Sequence, residues 1–122
     1  MIEVRGQPLL SRLIGTVREA GVREITVVRG YKKDMINFPS IATVDNDLYM
    51  TTGEAASLAC AVDRLEGECL VAYGDILFRH HILDQLFAHP GDIVVTVDAL
   101  WRERISQAKN WVRDFAECTR PF

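Results

Sequence analysis

Aspartate recurs where the apolar runs of this chain end. Asp45, Asp47, Asp75 and Asp98 each lie just beyond a short stretch of β-branched or apolar residues, and Asp75 directly follows Gly74. In open α/β sheets, ligands bind at the carboxyl ends of the strands, so side chains in such positions can converge on one edge. Hard carboxylate oxygens gathered there suit Mg²⁺, which takes one or two protein carboxylates and fills its other positions with water and substrate phosphates. Aspartates after strands are also ordinary turn and N-cap residues. Asp75 stands apart from the others, because the glycine beside it lets a ligand approach the backbone closely. A second group, Thr52, Gly53, Glu54 and Ser57, opens a helical pattern whose first N–H groups have no intrahelical partner and suit an anionic ligand. Ser57 fits equally well as a packing or solvated serine in an alanine-rich helix. Arg29, Lys32 and Lys33 offer charge to a phosphate, although a solvated turn accounts for them better.

Other chemistries find less support. Cys60, Cys69 and Cys118 are odd in number and widely spaced, no CxxC occurs, and His80 and His81 are adjacent rather than at helical ligand spacing. Neither a zinc site nor a disulfide framework is expected, and the thiols are expected to be reduced and mostly buried. No G-x-G-x-x-G is present to hold a dinucleotide.

Two hydrophobic periods alternate around these residues. Leu9, Leu10, Leu13, Ile14 and Val17 recur at three- and four-residue spacing between Pro8 and Gly21, which predicts an amphipathic helix with its start and stop signals. Residues 24–28 read as a β-branched strand, 32–36 as a helical turn and 41–44 as a second short strand. A helix is expected over 54–65, with another around Ile82, Leu83, Leu86 and Phe87. The run 69–73 is continuously apolar and 92–97 is again read as an apolar strand, as in parallel strands buried on both faces. This alternation implies βαβ units, so the expected fold is α/β, a three-layer α/β/α sandwich with a mostly parallel, Rossmann-like sheet. It is expected to form one domain over 1–122, with a core at 2–101 and an irregular tail at 102–122.

Composition narrows the function classes. With 48% hydrophobic and 25% charged residues in 122, the chain is neither disordered nor fibrous. No apolar run approaches roughly 18 residues and the N-terminus lacks a signal-peptide core, which points to a cytoplasmic protein without membrane contact. A net charge of −3, with 14 basic and 17 acidic residues and no like-charge block, argues against nucleic acid as a partner.

The motifs together resemble a family. Ile2-Glu3-Val4-Arg5-Gly6-Gln7-Pro8-Leu9-Leu10 is similar to the segment after the signature loop of nucleotidyltransferases of the sugar-phosphate and phosphocholine type. Ile25 to Tyr31 resembles their second strand and its Gly-Tyr turn, and Thr52 to Leu58 the loop and helix start near base and ribose. Tyr73-Gly74-Asp75 resembles the Gly-Asp metal site, and Val97 to Trp101 strengthens the likeness to cytidylyltransferases of phosphonate biosynthesis.

The resemblance implies transfer of a nucleotidyl group from CTP or another nucleoside triphosphate to a phosphorylated small molecule, with release of pyrophosphate. It implies Mg²⁺ on Asp75, with Asp98 as a second carboxylate, and a nucleotide against Thr52, Gly53, Glu54, Ser57 and Gly74. In that family a Gly-rich phosphate loop precedes the equivalent of Ile2, and a second metal aspartate lies beyond the equivalent of residue 122. The sequence therefore reads as the middle of such a domain, expected to be inactive alone. A non-catalytic domain acting by self-association or partner binding is the alternative reading, and a homodimer is expected.

Overall fold

The computed structural model describes residues 1–100. Trp101 and the expected irregular tail at 102–122, with Trp111, Phe115, Cys118 and Phe122, lie outside the described residues. The packing separates into two units, Met1–Asp84 and the residues from Gln85 onward, and each is described by itself.

The first unit begins with a hairpin that sequence periodicity does not reveal. Strand β1 (Glu3–Val4) pairs antiparallel with β2 (Gln7–Pro8), placing Val4 opposite Gln7. Arg5 and Gly6 between them both have positive φ, at 51° and 74°, the two-residue turn whose twist matches a hairpin. Helix α1 (Leu9–Glu19) follows directly, and Arg12 Nε donates to the Val4 carbonyl at 2.9 Å, tying helix to hairpin. Leu9, Leu13, Ile14 and Val17 form its buried stripe, as the spacing predicts. The helix ends in a paired cap: Gly21 N–H donates to Arg18 O and Val22 N–H to Val17 O. Gly21 carries this at φ 95°, a conformation that glycine adopts without strain.

Strand β3 (Thr26–Arg29) pairs parallel with β4 (Ala42–Asp45), in register from Thr26 opposite Ala42 to Arg29 opposite Asp45. A 3₁₀ turn at Lys33–Met35 lies in the crossover. Helix α2 (Glu54–Cys60) packs on β3 and gives way to a 3₁₀ turn at Val62–Arg64, so the predicted helix over 54–65 is broken near Ala61, a core residue. Helix α3 (His80–Ala88) buries Leu83, which is 2% exposed.

The α/β class is therefore as expected, with one parallel and one antiparallel pair among the described residues. The runs 69–73 and 92–97 form no ladder there, contrary to their apolar character. Apolar sequence marks a surface that gains from burial. A strand also needs a neighbour's N–H and C=O groups within reach. Both runs instead expose side chains: Val71 is 60% and Tyr73 52% exposed, and Ile93 is 89% and Val95 69% exposed. Cys60 and Cys69 are also exposed rather than buried: α2 ends at Cys60, and Cys69 follows a bend at Gly67-Glu68 outside any helix or strand. No helix of the described residues is long and apolar enough to cross a membrane.

Candidate functional site

The C-terminal ends of β3 and β4 carry a chain of alternating charge. Arg29 Nε meets Asp45 Oδ1 at 2.8 Å, Lys33 Nζ meets Asp45 Oδ2 at 3.2 Å, and Lys33 Nζ meets Asp47 Oδ1 at 2.7 Å. Parallel register puts Arg29 and Asp45 side by side at the ends of their strands, so this pairing follows from the ladder itself. Arg29 also donates to the Ile36 carbonyl at 3.1 Å, holding the crossover turn. The Arg29 guanidinium, and after it Lys33, lowers the Asp45 carboxyl below its ordinary range. Asp47, then Asp45, raises the Lys33 ammonium. Two of the three cations that the sequence offers to a phosphate are thus engaged with protein carboxylates. Lys32, in a left-handed conformation at φ 51°, lies with Nζ 5.3 Å from the Tyr31 ring centroid.

One residue further along, Asn46 is the buried polar side chain of the described core, 4% exposed. Its Nδ2 donates to Thr52 Oγ1 and to Ser57 Oγ, each at 3.0 Å, and its Oδ1 accepts the Leu48 N–H at 3.0 Å. Its own N–H extends the ladder to the Arg29 carbonyl at 2.8 Å. The amide thus joins β4 to the Thr52-Gly53-Glu54 loop and to the first turn of α2, bringing Thr52 and Ser57 together. Gly53 and Glu54 stay exposed at the helix start, where Gly53 is the extended N-cap residue. Tyr49 leans on the β3 turn: a Cβ at Gly30 would lie 2.7 Å from Tyr49 Cβ, and the Tyr31 and Tyr49 rings sit 6.3 Å apart.

Gly74 and Asp75 border an open cleft of about 200 Å³, lined also by Ile2, Leu9, Leu10, Val27, Val28 and Ile36. Both residues are exposed. A Cβ at Gly74 would meet only Leu10 Cδ1, at an ordinary 3.8 Å, so packing does not demand the glycine and its backbone is open to a ligand. Among the described residues no three His, Cys, Asp or Glu side chains cluster as a ready-made metal site. A single exposed carboxylate fits Mg²⁺ in the way that ion is commonly held, with substrate phosphates and water completing its shell. Asp98 belongs to the second unit, where its Oδ1 accepts the Leu100 N–H at 3.0 Å.

Asn46, Arg29 and Lys33 are the residues of this region whose parts sequence reasoning missed. The one available signal was the Asp45-Asn46-Asp47 run after a strand, since Asn often bonds the backbone two residues on. Its bonds to Thr52 and Ser57, 6 and 11 residues away, leave no local pattern.

Comparison with known proteins extends the picture. A family model described as MobA-like NTP transferase domain matches residues 1–118. The 2-aminoethylphosphonate cytidylyltransferase of Lancefieldella rimae is 28% identical over 116 residues, covering 80% of this chain and 47% of that protein. The CTP:phosphoglutamine cytidylyltransferase of Campylobacter jejuni is 24% identical, covering 95% of this chain and 48% of that protein. The chain spans about half the length of these two curated relatives. No solved structure gives a significant match.

Proposed function

The chain belongs to the MobA-like NTP transferase domain family, and from that premise we propose that it serves nucleotidyl transfer from CTP, or another nucleoside triphosphate, to a phosphorylated small molecule of phosphonate or phosphocholine type. The observation that carries this reading is the open cleft bordered by Gly74 and Asp75. In the reaction an acceptor oxygen attacks the α-phosphorus, a new phosphate ester or anhydride bond forms, and the bond to the β-phosphate breaks to release pyrophosphate. The transition state spreads charge over phosphate oxygens, so positioning and charge neutralisation dominate the catalysis. Asp75 would hold Mg²⁺, which supplies that neutralisation, and the Thr52-Gly53-Glu54 loop would border base and ribose. We extend the reading to a three-layer, Rossmann-like arrangement of one domain, on the strength of family membership and the parallel β3–β4 pair.

Binding of nucleotide to this chain is expected to be weak. Among the described residues the cleft lining contains no lysine or arginine, and Arg29 and Lys33 are already paired with Asp45 and Asp47. Mg²⁺ titration followed by amide NMR should move Gly74 and Asp75 first, and Asp75→Asn should abolish those shifts. Calorimetry with CTP, ATP, GTP and UTP in Mg²⁺ should give weak binding with CTP preferred. Metal-dependent shifts that survive Asp75→Asn would remove Asp75 from the site.

The alternative, a non-catalytic domain that self-associates, is favoured by a different observation: the exposed apolar run at 92–97. Pyrophosphate release with 2-aminoethylphosphonate or phosphocholine as acceptor decides against it.

A further inference from the structure

We infer that Asn46 is a positioning residue for the nucleotide loop, and that Thr52 and Ser57 act by engaging its amide rather than by touching the ligand; this rests on the nucleotide reading above.

The orientation of the amide follows from the partners themselves. The Leu48 N–H can only donate, so the atom facing it at 3.0 Å must be Oδ1. Nδ2 then has two hydrogens and two hydroxyl oxygens to receive them, Thr52 Oγ1 and Ser57 Oγ. Each hydroxyl, having accepted from Asn46, turns its own hydrogen to a carbonyl. Thr52 Oγ1 donates to Leu48 O at 2.9 Å, and Ser57 Oγ to Gly53 O at a longer 3.4 Å. No donor of the Asn46 side chain is left over. Both hydroxyls that the sequence offers to a nucleotide are engaged by the protein's own groups, and the exposed residues between them are Gly53, Glu54 and Ala55.

Burial gives the arrangement its force. A polar side chain this deeply buried is stable only while every donor and acceptor is met, so the loop is held in the one conformation that satisfies Asn46. The loop would thus reach the ligand already ordered, and binding would not have to supply that order.

The test separates the clamp from the ligand. Asn46→Leu keeps the bulk and removes every polar bond, Thr52→Val removes one hydroxyl, and Thr52→Ser restores it. Hydrogen exchange at the Leu48, Tyr49 and Thr51 amides, read without nucleotide, should quicken at least about tenfold in Asn46→Leu and in Thr52→Val, while amides of α1 keep their protection. Thr52→Ser should exchange like the native chain. With CTP–Mg²⁺ as probe, Asn46→Leu and Thr52→Val should each weaken binding by about tenfold, and Thr52→Ser should bind within about twofold of native. Native exchange in Thr52→Val overturns the clamp, whatever the chain binds. Loss of binding in Thr52→Ser overturns the positioning role, because a hydroxyl alone would then not suffice. A native chain that shifts with none of the four nucleotides overturns the nucleotide reading and the ligand half of this inference, while the exchange measurement still decides the clamp.

Discussion

At the scale of single residues, the ends of β3 and β4 show how register turns sequence into electrostatics. Arg29 and Asp45 are 16 positions apart, and only the parallel ladder makes them neighbours. The consequence is a pH dependence with a definite sign. Asp45 is lowered from its ordinary 3.8, chiefly by Arg29, so its contribution to stability is complete above that value and is lost as pH falls through the lowered one. Lys33 works in the opposite direction: raised from 10.5, it contributes fully below that value and its contribution fades as pH rises through the raised one. Carboxyl NMR should find Asp45 titrating below the ordinary aspartate range, and Arg29→Gln should return it upward. An Asp45 midpoint unmoved by Arg29→Gln would mean that Arg29 does not govern it. Asp75 was singled out by its own sequence context, a glycine beside a carboxylate after an apolar run, and its role is proposed. Asn46 was not, because what distinguishes it is a set of partners rather than a neighbourhood in sequence.

Elements that announce themselves by repetition were the legible ones. The stripe from Leu9 to Val17 has a helical period, and α1 forms where that period runs; Thr26 to Arg29 and Ala42 to Asp45 form where β-branched residues cluster. The hairpin at β1 and β2 was missed because two residues per strand are too few to show a period. Its only signal is a glycine at a two-residue turn. The runs 69–73 and 92–97 misled for the converse reason, since hydrophobicity is a property of the segment and pairing a property of two. The turn after β3 offers a direct check on packing at this scale. A methyl group on Gly30 would press on Tyr49 Cβ and Cγ at 2.7 and 2.8 Å, atoms close to the backbone that cannot swing away cheaply. Gly30→Ala should therefore destabilise the chain by about 1–3 kcal/mol, read as a lower denaturant midpoint. A native midpoint would show that Tyr49 is free to leave.

For the whole molecule, the apolar side chains left in water set the expectation. Ile93, Val95 and Val97 are 89%, 69% and 50% exposed, apolar side chains close together in sequence that a second copy of the chain can cover. A self-complementary pairing of this kind closes as a two-fold dimer. Sedimentation equilibrium at high micromolar concentration should give a mass above the 13.8 kDa of the single chain, and Val95→Lys should lower it. A mass of 13.8 kDa throughout rules the association out. The exposed sulfur atoms of Cys60 and Cys69 give this measurement a redox dimension. Accessible thiols on separate molecules can be oxidised to an intermolecular disulfide, so two chains can be joined covalently without any apolar contact between them. In air, then, a doubled mass reports oxidation as readily as assembly, and only the pairing that persists in reductant, or in a chain with serine at all three cysteine positions, 60, 69 and 118, belongs to the fold.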